Sequence, residues 1–361
     1  MKKVIVTGGG TGGHLYPALA IIEAIKAFCD VIYVGHPQKI EAKIVPSKGI
    51  NFHPIKSFPV SKNPIQLLRI ISSIIKGIFY LRKIKPDLVI GVGGYVSIPI
   101  TISAKLLRIP VVMQEQNVHP GKANRLLIKL GVPVMLGFEE TKNLIKLKEY
   151  YVTGCPVRAT IGTIDKCEAK ASLNLIGYEK ILLIVGGSGG AKAINDIGLK
   201  LIEYFRGNGK VFIILVTGKS YYKEVCEKIK NISVAGVPDL FKIIEYADNI
   251  DSLFAASDIT ICRSGSSTIN ELLCSGVPSV LIPSPNVAEN HQEANARYLE
   301  RIGAGIVCLE RDISEKFSLM VDELIFDDSK LYQMHKANIE NCMGRLAKNK
   351  IAAIVKGKLA L

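Results

Sequence analysis

Three glycine clusters, each set behind a short apolar run, are the parts of this chain best suited to chemistry. Val4-Ile5-Val6 leads into Thr7-Gly8-Gly9-Gly10-Thr11-Gly12-Gly13-His14. Leu88-Val89-Ile90 leads into Gly91-Val92-Gly93-Gly94-Tyr95, and the run 181–185 into Gly186-Gly187-Ser188-Gly189-Gly190-Ala191. A turn without side chains lets backbone N–H groups and the positive end of a following helix approach an anion such as a phosphate. Side chains near these turns could move protons or grip oxyanions. His14 closes the first turn, and its ordinary pKa of about 6.5 suits a general base at neutral pH; as a bland alternative it is only a helix-start residue. Ser188 can donate its hydroxyl to a phosphate oxygen, or it merely stabilises its turn. Arg158 offers a planar guanidinium fork suited to a pyrophosphate or a sugar, or else a plain salt bridge. Ser266, Ser267 and Thr268 open a helical stretch, where they either cap it or meet phosphate, since both roles use the same unsatisfied N–H groups.

The elements that must position these groups alternate. Strand-like runs fall at 3–6, 31–34, 87–91, 110–113 and 132–136, then at 181–185, 211–216, 231–235, 258–262 and 279–282, with helical sequence between them. Such alternation predicts an α/β fold with parallel sheets and helices on both faces. With 361 residues and the glycine pattern in both halves, two Rossmann-like domains facing across a cleft are expected. The first spans 1–160 and the second 161–344. The chain crosses between them near Tyr151–Arg158, and a last helix, about 345–361, folds back on the first.

Several function classes fall away. Gly8, Gly10 and Gly13 satisfy a dinucleotide-binding spacing, but the second strand ends in Gly35-His36 without the acid that would hold a ribose. Thr217-Gly218-Lys219-Ser220 lacks the glycine that a P-loop requires five residues before Gly218; Ile213 stands there. The 8 cysteines are scattered without C-x-x-C spacing, which predicts reduced thiols rather than zinc ligands or disulfides. The start, Met1-Lys2-Lys3, is followed by too few apolar residues for a signal peptide.

Charge is distributed unevenly. Residues 1–160 hold 22 Lys and Arg against 8 Asp and Glu, whereas residues 161–361 hold 24 of each, so the whole net charge of +14 lies in the first half. Such a face implies an anionic partner: nucleic acid, an acidic membrane or a phosphorylated lipid. The run Pro64–Lys83 places Leu67, Leu68, Ile71, Ile74, Ile75, Ile78 and Leu81 on one helical face and Gln66, Arg69, Ser73, Lys76 and Lys83 on the other. Its charges interrupt it too often for a bilayer span, which leaves a core helix with a basic solvated face or a helix lying in the headgroup region. No aromatic interleaving or binding motif supports nucleic acid, so none is expected.

Seven motifs in order sharpen the reading: GTGGHLYPALA (10–20), GVGGYVSIP (91–99), EQNVHPGKAN (115–124), GCPVR (154–158), GGSGGA (186–191), CRSGSSTINE (262–271) and HQEANA (291–296). With them the chain closely resembles the MurG family of bacterial glycosyltransferases (family 28), from about residue 3 to 305. The resemblance implies a GT-B fold and inverting transfer of GlcNAc from UDP-GlcNAc. The acceptor would be the C4 hydroxyl of lipid I (MurNAc-pentapeptide-pyrophosphoryl-undecaprenol), and the product lipid II for peptidoglycan. It places the enzyme peripherally on the cytoplasmic face of the cell membrane, against an anionic lipid surface. Gln114 departs from the pattern, standing where many members carry His.

By the same resemblance, Ser188 meets the UDP pyrophosphate and Glu271 accepts the ribose hydroxyls, although a solvated helix acid is the plain reading of Glu271. Gln292 reads GlcNAc hydroxyls with its carboxamide. Asn117 and Asn124 lie on the acceptor side, or else cap helices. Thr11, Gly12, Gly13, Arg158, Ala247, Ser266, Ser267, Thr268, Ile269 and Asn270 complete the implied substrate contacts. The catalytic base is His14 or Glu115. No D-x-D stretch is present to hold a metal on the pyrophosphate, so no cofactor is expected, and loop N–H groups, helix dipoles and Arg158 would take the charge of leaving UDP. Two alternatives remain: a glycolipid synthase of the same fold using another UDP-sugar and a diacylglycerol or sterol acceptor, and a catalytically dead nucleotide-sugar-binding regulator.

Overall fold

Runs of valine, isoleucine and leucine without polar interruption form the central strands, because a parallel strand covered by helices on both faces has no wet side. The computed structural model describes residues 1–59, 63–187, 189–207, 209–230 and 240–361; the expected strand at 231–235 and Ser188 lie outside them. The chain divides into one unit of Met1–Val157 with Met343–Leu361 and a second of Arg158–Cys342.

In order, the first unit contains β1 (Lys2–Thr7), α1 (Gly12–Ile25), β2 (Cys29–Gly35), α2 (Ile40–Ser47), β3 (Asn51–Pro54), α3 (Pro64–Ile84) and β4 (Leu88–Gly91). It continues with α4 (Ile98–Leu106), β5 (Val111–Glu115), α5 (Lys122–Lys129), β6 (Val134–Leu136), α6 (Thr141–Leu144) and β7 (Tyr150–Val152). The second unit contains α7 (Lys166–Ser172), β8 (Lys180–Val185), α8 (Lys192–Phe205), β9 (Val211–Val216), α9 (Tyr222–Lys230), β10 (Phe241–Ile244), α10 (Ile250–Ala256) and β11 (Ile259–Cys262). Then follow α11 (Ser266–Ser275), β12 (Ser279–Leu281), α12 (His291–Arg301), β13 (Gly305–Val307), α13 (Lys316–Phe326) and α14 (Asp328–Glu340). The last helix, α15 (Gly344–Leu359), returns to the first unit, where Ile351, Val355 and Leu359 join a core with Leu15, Ala18 and Ile22 of α1.

Among the described residues the first sheet has seven strands in the order β3-β2-β1-β4-β5-β6-β7, and the second has six in the order β10-β9-β8-β11-β12-β13. All pairs are parallel. Each order reverses once, between β1 and β4 and between β8 and β11. Loops leaving the carboxyl ends of strands at such a reversal diverge to opposite faces and open a crevice for ligands. Register fixes the level of those loops. Thr7 pairs with Gly91 and Val185 with Cys262, so the first and second glycine loops start side by side, as do the third and the loop at Arg263.

Edge strands β3, β10 and β13 carry no strand-like run in the sequence, and β7 shows only as a strand end at Tyr151-Val152. Asn51-Phe52-His53-Pro54, for example, is short, polar and largely exposed.

The spacing of α3 leaves its buried face open, and the packing decides it. Its buried residues are Ile70, Ser73, Gly77 and Leu81, so Ser73 faces inward and most of the expected apolar face does not. Leu67, Leu68, Ile71, Ile75 and Phe79 are exposed, Leu68 and Phe79 each to 67%. The reason is close packing on α4. A Cβ on Gly77 would stand 2.6 Å from Ser103 Oγ, which itself donates to the Ile74 carbonyl at 2.8 Å. Small residues let the two helices approach, and the larger aliphatic residues are left outside. By length and composition the helix also reaches what a bilayer span requires, despite its charges. Its Ile70–Leu81 face is nevertheless committed to the domain.

Candidate active site

In the first unit, strand register brings the ends of β1 and β4 together. Val92 N–H donates to the Thr7 carbonyl at 2.7 Å, and the Val92 carbonyl turns toward α1. There His14, half-buried in the first turn of α1, places Nδ1 3.2 Å from the Val92 oxygen. Gln116 Nε2 donates to the same oxygen at 2.6 Å. A carbonyl only accepts, so the His14 proton sits on Nδ1 and the lone pair on Nε2, the tautomer that a base needs. Thr11 precedes α1 as an exposed N-cap without a side-chain cap bond, and Gly12 and Gly13 form the first helical turn.

The second glycine loop fits tightly against this histidine. Gly93 has φ +92°, and a Cβ there would lie 3.0 Å from His14 Nδ1 and 3.3 Å from Asn124 Nδ2. On Gly94 a Cβ would meet the Gly9 carbonyl at 2.6 Å. These glycines admit His14 and Asn124 to the same small space.

Glu115, the other expected base, ends β5 at 1% exposure. Its Oε1 accepts from Asn117 N–H at 2.9 Å and Asn117 Nδ2 at 3.1 Å, and its Oε2 from Asn124 Nδ2 at 2.8 Å and Gly121 N–H at 3.1 Å. Burial pushes its carboxyl pKa up, opposed by those donors. Four N–H donors leave no lone pair pointed at a substrate, so Glu115 organises the 116–124 loop. Asn117 and Asn124, expected as acceptor contacts, spend their amide N–H groups on it, and Asn124 Oδ1 is left buried without a hydrogen-bond partner. Gln114 is fully buried and donates to the Gly154 carbonyl at 3.1 Å, a structural tie between β5 and the end of the first unit.

The second unit gathers another set at the ends of β8 and β11. The third glycine loop presses against the end of β9: a Cβ on Gly190, at φ +75°, would stand 2.2 Å from the Thr217 carbonyl. Asn195 of α8 donates to that carbonyl at 3.1 Å. The tempting Thr217-Gly218 pair is thus a packing partner of the loop. Helix α11 starts after Gly265, which supplies no side-chain cap, so the N–H groups of its first turn receive none from the cap position. Ser267 Oγ is buried without a hydrogen-bond partner. Ile269 is fully buried in the core, and Asn270 returns its amide to the Ser266 carbonyl at 2.8 Å, so both side chains are turned inward. A helix repeating every 3.6 residues cannot aim six successive side chains at one ligand.

Glu271 projects from α11 toward Arg158, whose Nε lies 3.8 Å away, while Arg158 Nη1 donates to the Asp248 carbonyl at 3.4 Å. Ala247, next to Asp248, is buried. Burial pushes the Glu271 carboxyl up to about 7; Arg158 opposes this and Asp251 adds to it. With its side chain 16% exposed, Glu271 is a partly dried acid. Gln292, at the start of α12, accepts from Ser284 N–H through Oε1 at 2.9 Å, and its backbone carbonyl accepts from Ser264 Oγ at 2.8 Å. The amide therefore presents its NH₂ group as the ligand-reading half.

Sequence reasoning missed Gln116, which sat unused inside the EQN run, and Glu41, whose carboxylate lies under the first glycine loop. No motif linked Glu41 to a loop some thirty positions away.

The sequence profile of the glycosyltransferase family 28 N-terminal domain matches residues 4–131, and that of the family 28 C-terminal domain matches residues 181–353. A protein of Halothermothrix orenii is 38% identical over 347 residues, 93% of this chain and 94% of its own length. One of Desulfitobacterium hafniense is 36% identical over 345 residues, 93% of this chain and 94% of its own. Both are named UDP-N-acetylglucosamine–N-acetylmuramyl-(pentapeptide) pyrophosphoryl-undecaprenol N-acetylglucosamine transferase. The crystal structure of Acinetobacter baumannii MurG superposes with a TM-score of 0.79 at 25% identity, covering 99% of this chain and all of that one. A UDP complex of Staphylococcus aureus MnaA shares the fold, with a TM-score of 0.70 at 17% identity over 100% of this chain and 98% of that one.

Proposed function

The chain belongs to glycosyltransferase family 28, and from that premise we propose that it transfers GlcNAc from UDP-GlcNAc to the C4 hydroxyl of lipid I, giving lipid II. The observation that carries this reading is identity of 33–38% with enzymes of that name over more than nine-tenths of the chain. The neighbouring glycolipid-synthase and dead-regulator readings have no such support.

In the proposed reaction His14 Nε2 takes the proton from the acceptor C4 hydroxyl as its oxygen bonds to the anomeric carbon of GlcNAc. The bond from that carbon to the UDP phosphate oxygen breaks, the anomeric centre inverts, and UDP leaves with the electron pair. The second unit holds the donor. N–H groups of the 186–190 loop and the start of α8, with Arg158, stabilise charge on leaving UDP. Glu271 accepts the ribose hydroxyls, and the Ser267 hydroxyl and the first turn of α11 offer partners to phosphate. Gln292 donates to the sugar. Ser188 completes the pyrophosphate contacts by family resemblance.

Acceptor and membrane belong to the first unit in this reading. The exposed Leu67, Leu68, Ile71, Ile75 and Phe79 of α3, flanked by Arg69, Lys76, Arg82 and Lys83, form an apolar patch ringed by cations. Such a patch enters the headgroup region of an anionic leaflet without crossing it. The enzyme then works peripherally, on the cytoplasmic face where UDP-GlcNAc is available.

The deciding assay supplies purified protein with radiolabelled UDP-GlcNAc and a lipid I analogue, with UDP-galactose and UDP-glucose as controls. Label appearing in lipid only with UDP-GlcNAc is the expected outcome; transfer to diacylglycerol instead would replace this reading with the glycolipid one.

A further inference from the structure

The buried charge that this chemistry leaves unused is Glu41. It stands in the first turn of α2, fully buried, and backbone amides rather than a cation meet its oxygens. Oε2 accepts from Gly10 N–H at 3.0 Å and Oε1 from His36 N–H at 3.1 Å. Around it the chain is cut to fit. A Cβ on Gly9, at φ +132°, would stand 2.5 Å from the Glu41 carboxyl carbon, and one on Gly35 2.7 Å from its Cγ. The first glycine turn already contains an anion.

We propose that Glu41 is a built-in anion that fills the first glycine turn from within, shuts phosphate out of Gly10, and holds the turn in the shape that positions His14. The inference rests on the transfer reading for His14's task, though not for the filling of the turn. A carboxylate 3.0 Å from Gly10 N–H takes the donor that an incoming phosphate would need and repels it as a like charge. This also resolves the missing ribose acid at Gly35-His36. An acid does arrive just beyond β2, but it serves the protein's own loop.

Positioning follows from contact. Tyr33 Oη donates to the Gly8 carbonyl at 2.9 Å, and Glu41 holds Gly10 two residues on. The intervening Gly9 carbonyl packs against Gly94, whose loop carries the Val92 oxygen that orients the His14 ring. Burial, with the Glu41 charge adding to it, pushes the Tyr33 hydroxyl pKa well up, so it remains a donor. Removing the carboxylate leaves the half-buried Gly10 amide and the buried His36 amide unpaired, and a shifted turn moves His14 relative to the acceptor. Glu41 is therefore a positioning residue, acting on His14 through the first and second glycine loops.

Glu41→Gln tests this, because it keeps the shape but turns an NH₂ toward one of the two amides. The expected result is a kcat lowered about 10–100-fold, the scale of a misplaced catalytic group. The KM for UDP-GlcNAc should stay within about twofold, as donor binding lies in the other unit. Amide hydrogen exchange over residues 8–14 should rise while that of 186–200 does not. Glu41→Ala, which vacates the carboxylate's place, should regain part of its kcat in formate but not in chloride at equal ionic strength. Wild-type kcat and unchanged exchange at 8–14 in Glu41→Gln would overturn the proposal. So would a loss that falls equally on kcat and on UDP affinity. Should Glu41→Ala fail to fold, Glu41→Gln decides alone. If the wild-type protein moves no GlcNAc to lipid I, the transfer reading fails, while the exchange measurement still reports whether Glu41 fills the turn.

Discussion

His14 Nδ1 lies 3.2 Å from the carbonyl oxygen of Val92, the first residue beyond β4. One hydrogen bond thus ties the helix after the first glycine loop to the start of the second, and it fixes which ring nitrogen carries the proton. That bond exists because β1 and β4 are neighbours in register, with Thr7 opposite Gly91.

His14→Ala should lower kcat by about 10²–10⁴-fold, the usual worth of a general base. The KM for UDP-GlcNAc should hardly move, because in the proposed reaction the histidine meets the acceptor. Steady-state rates with a lipid I analogue check this; a variant that keeps its kcat would remove His14 from the proton's path.

Glu115→Gln should act on stability before chemistry. The substitution sets an NH₂ group among four N–H donors, and stranding buried donors costs about 1–3 kcal/mol. Urea unfolding should show that loss, together with faster proteolysis of the 116–124 loop. A variant with unchanged stability and a collapsed kcat would return the role of base to Glu115.

Glu271 should make UDP binding depend on pH. Its carboxyl, pushed up to about 7, loses an acceptor oxygen when protonated. Affinity should therefore fall as pH drops below about 7, by up to about tenfold per unit, and Glu271→Gln should flatten the profile while weakening binding at pH 8. The stability sign is opposite to that of an ordinary salt-bridged acid. A carboxyl whose pKa is raised on folding stabilises fully below its unfolded value, and that contribution is lost as pH rises through about 7. Glu271→Gln should thus gain on the order of 1–3 kcal/mol relative to wild type at pH 8. Calorimetric titration with UDP and thermal melts across pH check both halves; a flat wild-type profile would refute the first.

Charge reversal on α3 should detach the protein from anionic lipid. Each cation near such a surface contributes about 1 kcal/mol, so Arg69→Glu/Lys76→Glu/Arg82→Glu should abolish sedimentation with anionic vesicles at low salt. Leu68→Ser/Phe79→Ser should weaken binding further without lowering the melting temperature, since both side chains are exposed. Equal sedimentation of wild type and the charge-reversed variant would leave the patch without a membrane role.

Much of the site was legible because its parts are local. Glycine turns behind apolar runs, a helix opening on Ser266-Ser267-Thr268, and a histidine closing the first turn are neighbours in sequence, and each carries its reason within ten residues. What misled was orientation. The spacing of α3 gave the right element but left its buried face open, because Gly77 and Ser103 allow a close helix contact that hydrophobicity alone does not reveal. Along Ser266 to Glu271 the residue types do not show the helical turn that sends the side chains of Ile269 and Asn270 inward.

The amino-acid sequence by itself determined the alternation of strand and helix, the glycine turns, the basic first half and, through its motifs, the family. Those properties depend on residue type and near spacing, which one dimension records in full. Only the tertiary structure decided which acids are occupied. Glu115 and Glu41 look like available carboxylates in the chain, yet both are buried and accept backbone or amide N–H groups brought to them by sheet order and loop contact. Glu271 keeps its charge in question for the same reason, because burial beside Arg158 sets its pKa. A carboxylate's role is fixed by the donors and dielectric around it, and those are supplied by residues far along the chain.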